Sequence, residues 1–165
     1  MQTYLKHSYW TLIFTTVFLA SCLKTEEFPV EPAISLVSFE TKGSGADLKL
    51  TFTDGDGDIG LSPGDTLPPF DLSSKYYYNL FVRYYELQQG EWVLIPITNP
   101  PLSYRTPKVT PTGQNKSLNG NMTIKLTLYY NAFSEFDTLK LDVQLLDRAL
   151  NESNIVEIGP LLKPR

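Results

Sequence analysis

The chain of 165 residues contains one cysteine and one histidine, Cys22 and His7, and both lie near its start. From Leu23 onward no residue carries a thiol or an imidazole. This absence excludes a disulfide, a Ser-His-Asp triad, a cysteine nucleophile and a zinc site with the usual nitrogen and sulfur ligands from that part of the chain. Carboxylates, lysines, tyrosines and serines are left for catalysis, so we expect a protein that is not an enzyme.

The sequence also lacks a hydrophobic run of the length that crosses a membrane. The apolar stretch near the start covers about residues 10–20, whereas a spanning helix needs about 20 apolar residues. Its length is typical of a secretory signal peptide, here residues 1–21, which is cut away. The loss of Lys6 changes the formal net charge from −4 to −5. This mild acidity is spread along the chain, so we expect no nucleic-acid partner.

The residues around the cysteine are Leu19-Ala20-Ser21-Cys22. Small residues before a cysteine, with an aliphatic residue three places upstream, resemble the lipobox of bacterial lipoproteins. The resemblance implies acylation of Cys22 on its sulfur and its new amino group, and therefore a membrane anchor much firmer than a single acyl chain. The alternative is a lone buried thiol after an ordinary signal peptide.

A tether of residues 22–32 follows and ends in Pro29 and Pro32. Its start, Leu23-Lys24-Thr25-Glu26-Glu27, resembles the lysine-then-acidic export signal that sends Bacteroidetes-type lipoproteins to the outer face of the outer membrane. The resemblance implies an outer-membrane lipoprotein exposed at the cell surface. If the charges only solvate the tether, the protein faces the periplasm instead.

Residues 33–165 have the length of one domain and show the period of β-strands. Leu48, Leu50 and Phe52 alternate with polar residues, which is typical of a strand with one buried face. The predicted strands cover residues 33–40, 46–54, 76–88, 91–96, 121–130, 137–147 and 154–162, with turn residues between them. We therefore predict an all-β fold, an antiparallel β-sandwich of about seven strands of the immunoglobulin or fibronectin type III kind.

Two connections, 55–75 and 97–120, are longer than hairpins need, and long loops often carry function. The second is the expected crossover between sheets. The first begins with Asp54-Gly-Asp-Gly-Asp58. Carboxylates at every second residue, with glycines between them, can curl around a hard cation such as Ca²⁺. The alternative is a turn without an ion, since Asp and Gly are common turn residues.

The same stretch resembles the calcium loop of EF-hands over about twelve residues. With Asp54 as the first position, Gly60 is the seventh, where such loops use a backbone carbonyl, Ser62 is the ninth and Asp65 is the twelfth. The stretch departs from that pattern because Ile59 replaces the glycine of the sharp turn and Asp65 is shorter than the usual glutamate. The flanks are also predicted to be strand and loop. The resemblance implies a structural calcium ion without the EF-hand geometry.

In a sandwich of immunoglobulin order, the loop after the second strand and the loop 147–154 lie at the same end. Asp147 or Asn151 can then either complete the coordination of the ion or hydrogen-bond the turn backbone. In both cases Arg148 is expected to pair with a carboxylate at this end. The combination of Leu-Ala-Ser-Cys22, the aspartate loop and the stretch 147–154 resembles a group of Bacteroidetes-type lipoproteins with an immunoglobulin-like domain. That resemblance implies the fold and the location, and no particular activity.

The middle of the chain is rich in aromatic residues, and aromatic rings can stack on sugars. Tyr76, Tyr78 and Trp92 are the candidate glycan contacts, although packing of two sheets accounts for most of the aromatic residues. Scattered acids such as Glu86 and Glu91 are weak candidates for a hydrolase pair, because the separation that a glycosidase needs cannot be read from the sequence. We expect a non-catalytic domain that binds an unknown protein or glycan. The alternatives are a glycan-binding accessory module of a polysaccharide-uptake system and a small carboxylate-dependent hydrolase.

Overall fold

The computed structural model describes residues 27–111 and 115–164. The signal peptide, Cys22 and the first residues of the tether lie outside the described residues, so their assignments stay predictions. All regular elements of the described ranges are β-strands. None of these residues forms a helix long and apolar enough to cross a membrane.

Eight strands follow one another along the chain. They are β1 (Ala33–Lys42), β2 (Gly45–Asp54), β3 (Leu80–Gln88), β4 (Glu91–Leu94), β5 (Ser103–Tyr104), β6 (Leu118–Leu126), β7 (Thr138–Leu145) and β8 (Val156–Leu162). Seven of them fall within or overlap the predicted strands. The additional strand, β5, has two residues and is too short to show a period in the sequence.

The strands form two antiparallel sheets. One has the order β1-β2-β6, and the other has the order β4-β3-β7-β8, with β5 paired to the start of β3. The chain passes from the second sheet to the first between β5 and β6, inside the predicted crossover of residues 97–120. The all-β prediction is therefore confirmed, as two antiparallel sheets with the character of a β-sandwich.

The core lies between the sheets. Alternate residues of β2 and of β7 are buried, as the period of two predicts. Buried apolar side chains from both sheets belong to one hydrophobic cluster, which includes Leu48, Leu50, Tyr84, Leu141 and Val143. Full burial of one such leucine or valine contributes about 1.5–3 kcal/mol, so this cluster supplies much of the stability.

Two border strands are irregular. The pairing of β1 with β2 shifts register between Leu36 and Ser38. The pairing of β7 with β8 shifts between Leu139 and Leu141, where Gly159 and Pro160 interrupt β8. A β-bulge or similar irregularity bends a strand and locally disrupts its ladder of hydrogen bonds.

The predicted start of the third strand is wrong: β3 begins at Leu80, not at residue 76. The residues before it form successive turns, in which the Ser74 amide donates to the Asp71 carbonyl at 3.0 Å and the Tyr77 amide to the Ser74 carbonyl at 3.1 Å. Tyrosine favours strands, but here the turns fix the backbone. The predicted 121–130 strand is also shifted, because β6 pairs along the whole of β2, from Leu118 to Leu126.

Candidate metal centre

Asp54 occupies the last inward position of β2. Ala46, Leu48, Leu50 and Phe52 precede it on the same buried face, and Asp54 itself has no exposed surface. Because every second residue of β2 faces the core, the carboxylate of Asp54 lies at the edge of the core. This signal was present in the sequence, because the period of two places Asp54 on the face of Leu50.

Three carboxylates converge at this end of β2. Asp54, Asp56 and Asp58 each offer an oxygen, and these oxygens lie within 4.8 Å of one another. Asp54 Oδ2 accepts a hydrogen bond from the Asp58 amide at 2.8 Å. The other oxygens, Asp54 Oδ1 and Asp58 Oδ1, are buried and have no hydrogen-bond partner among the described residues. A donor set of carboxylate oxygens suits a hard cation, so the cluster could hold a metal ion.

The electrostatics of the cluster are unfavourable without a cation. Burial raises the pKa of Asp54 to about 6, and repulsion from Asp56, Asp58 and Asp147 adds to the shift, although the hydrogen bond from the Asp58 amide opposes it. Burial also raises the pKa of Asp58, with Asp147 and Asp56 as further causes. Each charged form is therefore penalised by its surroundings, and a bound cation would remove that penalty.

Two glycines let other segments approach the aspartate loop. Gly57 has φ +73°, and a Cβ there would lie 2.2 Å from the Lys116 carbonyl oxygen. Gly60 has φ +83°, and a Cβ there would lie 2.1 Å from the Pro107 carbonyl oxygen. Only glycine fits such contacts at positive φ. Close packing thus explains Gly60, and its predicted role as a carbonyl ligand stays a prediction.

Ile59, the residue that departs from the EF-hand pattern, belongs to the core and is 1% exposed. Its carbonyl accepts from the Val109 amide at 2.9 Å, and Ile59 forms an isolated bridge with Asp147. The chain therefore leaves the aspartate loop by entering the core. Ile59 packs in the core cluster at the position where an EF-hand has glycine, and the flanking helices of an EF-hand are replaced by a strand and a loop.

The loop between β7 and β8, residues 147–154, lies against the aspartate loop, as sandwich order predicts. The Arg148 amide donates to the Asp58 carbonyl at 3.3 Å, and the Ala149 amide donates to Asp58 Oδ2 at 3.0 Å. Asp58 thus contributes to the carboxylate cluster and also holds the second loop. We call this end of the sandwich, formed by residues 54–60 and 147–154, the metal pole.

Asp147 was predicted either to coordinate the ion or to hydrogen-bond the turn backbone, and the structure shows the hydrogen bonds of the turn. Its Oδ1 accepts from the Asn151 amide and its Oδ2 accepts from Asn151 Nδ2, both at 2.8 Å. Asp147 is 1% exposed and lies outside the group of three converging carboxylates. It is still close enough to raise the pKa values of Asp54 and Asp58, so it adds to the negative charge of the metal pole.

Asp65, the predicted twelfth-position ligand, pairs with Arg148. Both of its carboxylate oxygens accept from the guanidinium, and Oδ2 also accepts from the Ser62 amide at 2.7 Å. The hydrogen bonds from Arg148 and Ser62 hold the pKa of Asp65 well below its usual range. The predicted partnership of Arg148 with a carboxylate is confirmed, and Asp65 is not among the three converging carboxylates.

Sequence reasoning missed Arg105, which fastens the long connection between β2 and β3. Its guanidinium donates to the carbonyls of Tyr77 at 2.6 Å, Asp65 at 3.0 Å, Ser62 at 3.1 Å and Phe70 at 3.4 Å. Backbone carbonyls carry no sequence signature, so nothing in the chain identified these partners. The contacts fix residues 62–77 beside the metal pole.

The three candidate glycan contacts have different neighbours. The Lys75 ammonium lies 4.7 Å from the centre of the Tyr76 ring, and the Lys140 ammonium lies 5.6 Å from that of Trp92. Tyr78 packs edge-on against Tyr77 with 4.9 Å between ring centres. The two lysine ammonium groups lie over the rings of Tyr76 and Trp92. The glycan role of Tyr76, Tyr78 and Trp92 stays a prediction.

Comparison with known proteins gives no match, since no protein-family model, no curated protein and no solved structure is significantly similar to the chain.

Proposed function

We propose that this protein is an outer-membrane lipoprotein whose non-catalytic, immunoglobulin-like domain is stabilised by one Ca²⁺ and binds another protein or a glycan. The observation that carries the calcium part is the pair of buried oxygens, Asp54 Oδ1 and Asp58 Oδ1, that have no hydrogen-bond partner among the described residues. Buried polar atoms are nearly always satisfied. A cation between these carboxylates and Asp56 would satisfy them together.

The chemistry of the donors favours Ca²⁺ over other ions. Asp54, Asp56 and Asp58 supply oxygens only, which disfavours soft metals. Mg²⁺ demands near-ideal octahedral geometry, whereas Ca²⁺ accepts irregular sets of six to eight oxygens. Backbone carbonyls and water would provide the remaining ligands. Extracellular calcium modules bind with Kd of about 10⁻⁴–10⁻³ M, which suits a protein exposed at the cell surface.

The proposed role of the ion is structural. Asp58 would coordinate Ca²⁺ through one oxygen, while its other oxygen accepts from the Ala149 amide. The ion would therefore join the end of β2 to the loop 147–154, which belongs to the other sheet. Such a link substitutes for the disulfide that the chain cannot form after Cys22.

The strand order supports an immunoglobulin-like or fibronectin type III-like domain. The order β1-β2-β6 facing β4-β3-β7-β8 corresponds to strands A, B and E facing C′, C, F and G. Domains of this kind commonly present loops and sheet faces to partners. The lipobox at Cys22 and the charged tether support the anchor and the surface location, with the periplasmic face as the alternative.

Glu86 is one of the candidate acids for a hydrolase pair, and its surroundings support a non-catalytic domain. Glu86 is 2% exposed and accepts from the Tyr84 hydroxyl at 2.8 Å and from Gln88 Nε2 at 3.2 Å. Lys163 Nζ lies 3.4 Å from the same carboxylate. These contacts tie the end of β8 to β3, so a structural role accounts for the acid.

The test is calcium-dependent melting of the purified protein. At ten times its Kd, Ca²⁺ should stabilise the fold by about 1.4 kcal/mol, which raises Tm by roughly 5 °C for a domain of this size. Asp56→Ala should abolish the increase, because it removes one ligand while leaving the buried core intact. Calorimetric titration should give one site in the parent protein and none in the variant.

Asp137→Asn is the matched control, since Asp137 is exposed and lies outside the cluster. It should melt with the same dependence on Ca²⁺ as the parent. A Tm that is the same in millimolar Ca²⁺ and in chelator would refute the structural ion. If Mg²⁺ or Mn²⁺ stabilises the protein and Ca²⁺ does not, the proposed site is correct and the proposed identity of the ion is wrong.

A further inference from the structure

The tether enters the domain at the metal pole. A Cβ on Gly55 would lie 2.3 Å from the carbonyl oxygen of Phe28 and 2.6 Å from that of Pro29. The backbone of the tether therefore packs directly on the aspartate loop. From there β1 runs away from the metal pole, since Ala33 pairs with Thr53 at one end and Lys42 pairs with Gly45 at the other.

The length of the tether limits how far the metal pole can stand from its anchor. Phe28 follows Cys22 by six residues, and an extended chain covers at most 3.6 Å per residue, or about 20 Å in total. A strand of ten residues such as β1 spans about 33 Å. The far end of the sandwich, with the 131–137 loop, is thus separated from the anchor by the tether and by the length of the domain.

Exposed apolar side chains lie on the connection beside the metal pole. Leu67 is 76% exposed and Leu72 is 79% exposed. The segment that carries them is held against loop 147–154 by Arg148, which pairs with Asp65 and lies 5.7 Å from the Phe70 ring centre. These two leucines are therefore held next to the metal pole, where nothing in the described chain covers them.

The charges near these leucines are compatible with an anionic lipid surface. Lys75 and Lys108 are exposed and form no ion pair with any described residue. Basic side chains are attracted to anionic headgroups. The acidic cluster and Asp71, which precedes Leu72, oppose this attraction, and a bound Ca²⁺ would reduce the negative charge of the cluster.

We propose that the metal pole lies on the membrane, with Leu67 and Leu72 inserted at the boundary between the headgroups and the acyl chains of the lipid surface that holds Cys22. This inference rests on the lipid anchor of the proposed function. An amphipathic surface binds the interface by burying apolar side chains and by attraction to anionic lipid. The 131–137 loop and the end of β8 then point away from the membrane, where partners have access.

Tryptophan quenching by brominated lipid tests this orientation. The full chain is produced in a bacterial host that acylates it and is reconstituted into phosphatidylethanolamine and phosphatidylglycerol vesicles with brominated acyl chains. Trp92→Phe removes the intrinsic fluorophore, because Trp10 leaves with the signal peptide. In that background the tryptophan of Leu67→Trp should lose most of its emission, with a blue shift relative to the detergent-solubilised protein.

Phe133→Trp in the same background is the matched control. Phe133 is 99% exposed and lies in the loop at the far end, so its tryptophan should keep its emission in brominated vesicles. Both changes place an aromatic residue at an exposed position, and equal Tm values would show that the fold is unaltered. Equal quenching of the two variants, no quenching of either, or stronger quenching of Phe133→Trp would overturn the orientation.

The intact mass of the same preparation separates the two proposals. A mass that includes acyl groups, together with an unquenched Leu67→Trp variant, overturns the orientation and leaves the anchor in place. A mass without acyl groups refutes the anchor on Cys22, and the orientation falls with it. Acylation together with selective quenching of Leu67→Trp supports both.

Discussion

The side chain of Asn154 forms a two-point bridge to the backbone of Ile34. The Ile34 amide donates to Asn154 Oδ1 at 2.9 Å, and Asn154 Nδ2 donates to the Ile34 carbonyl at 2.9 Å. Ile34 belongs to β1 in the three-stranded sheet, and Asn154 precedes β8 in the five-stranded sheet. The asparagine therefore takes the place of a neighbouring strand and joins the two sheets along one side.

Asn154→Ala should destabilise the protein by about 1–3 kcal/mol, because it leaves the Ile34 amide and carbonyl without partners in a partly buried position. Urea unfolding followed by circular dichroism measures the change. Asn121→Ala, at an exposed position of β6, should cost much less. Equal losses in both variants would show that the bridge contributes nothing particular.

The stability of the calcium-free protein should depend on pH through Asp54. Its pKa is raised to about 6 in the fold, compared with an ordinary value of 3.8. The folded protein therefore retains a proton in this interval that the unfolded chain releases, and Asp54 makes folding less favourable as the pH rises through about 4 to 6. In chelator, Asp54→Asn should raise Tm at pH 7.5, and the difference from the parent should disappear towards pH 4.

In excess Ca²⁺ the order of the Tm values of the parent and of Asp54→Asn should reverse. The proposed ion would bind the charged carboxylate, so the parent should melt above Asp54→Asn at pH 7.5. If Asp54→Asn melts below the parent at pH 7.5 in chelator as well, the carboxylate is stabilised by the fold without an ion, and the interpretation of the cluster is wrong.

Asp65 should show the opposite dependence on pH. Hydrogen bonds from Arg148 and Ser62 lower its pKa in the fold below 3.8, so it stabilises the protein fully above pH 4. That contribution is lost as the pH falls through the folded pKa. Asp65→Asn should therefore be less stable than the parent at pH 7, with a difference that shrinks on acidification. Urea unfolding at several pH values measures it, and a difference independent of pH would contradict the prediction.

Arg105→Met should loosen the connection between β2 and β3. The change removes the donors to four carbonyls of residues 62–77 but retains much of the apolar stem. Limited proteolysis with chymotrypsin should then cleave near Phe70 and Tyr77 faster than in the parent. Lys108→Met is the control, since Lys108 is exposed and has no ion pair among the described residues. Unchanged cleavage in Arg105→Met would show that other contacts hold the segment.

Much of the sheet structure could be predicted from the sequence, because the sandwich core imposes a period of two. Leu48, Leu50 and Phe52 reveal β2, and its order in the sandwich predicts the contact between the aspartate loop and residues 147–154. The spacing of Asp54, Asp56 and Asp58 also predicts the cluster. These features depend on residues close together in the sequence or on general rules of topology.

The rest depends on contacts that leave little trace in the sequence. Asp65 matches a ligand position by counting, but Arg148 lies 83 residues away and takes its carboxylate. Tyr76 has the propensity of a strand residue, but the turns before β3 decide its backbone. Arg105 binds carbonyls, which every residue possesses. Long-range pairs of this kind are set by the assembled fold, and local patterns cannot identify them.

The irregular edge strands β1 and β8 affect how neighbouring molecules can associate. A regular edge with free amides and carbonyls invites the backbone of a second molecule to add to the sheet, whereas bulges and prolines discourage such growth. Both the shift after Leu36 and the interruption at Pro160 fall on outer strands. At these two edges the backbone of a neighbouring copy should therefore not add to the sheet, which leaves the regular outer edges of β4 and β6 as the places where such pairing can occur.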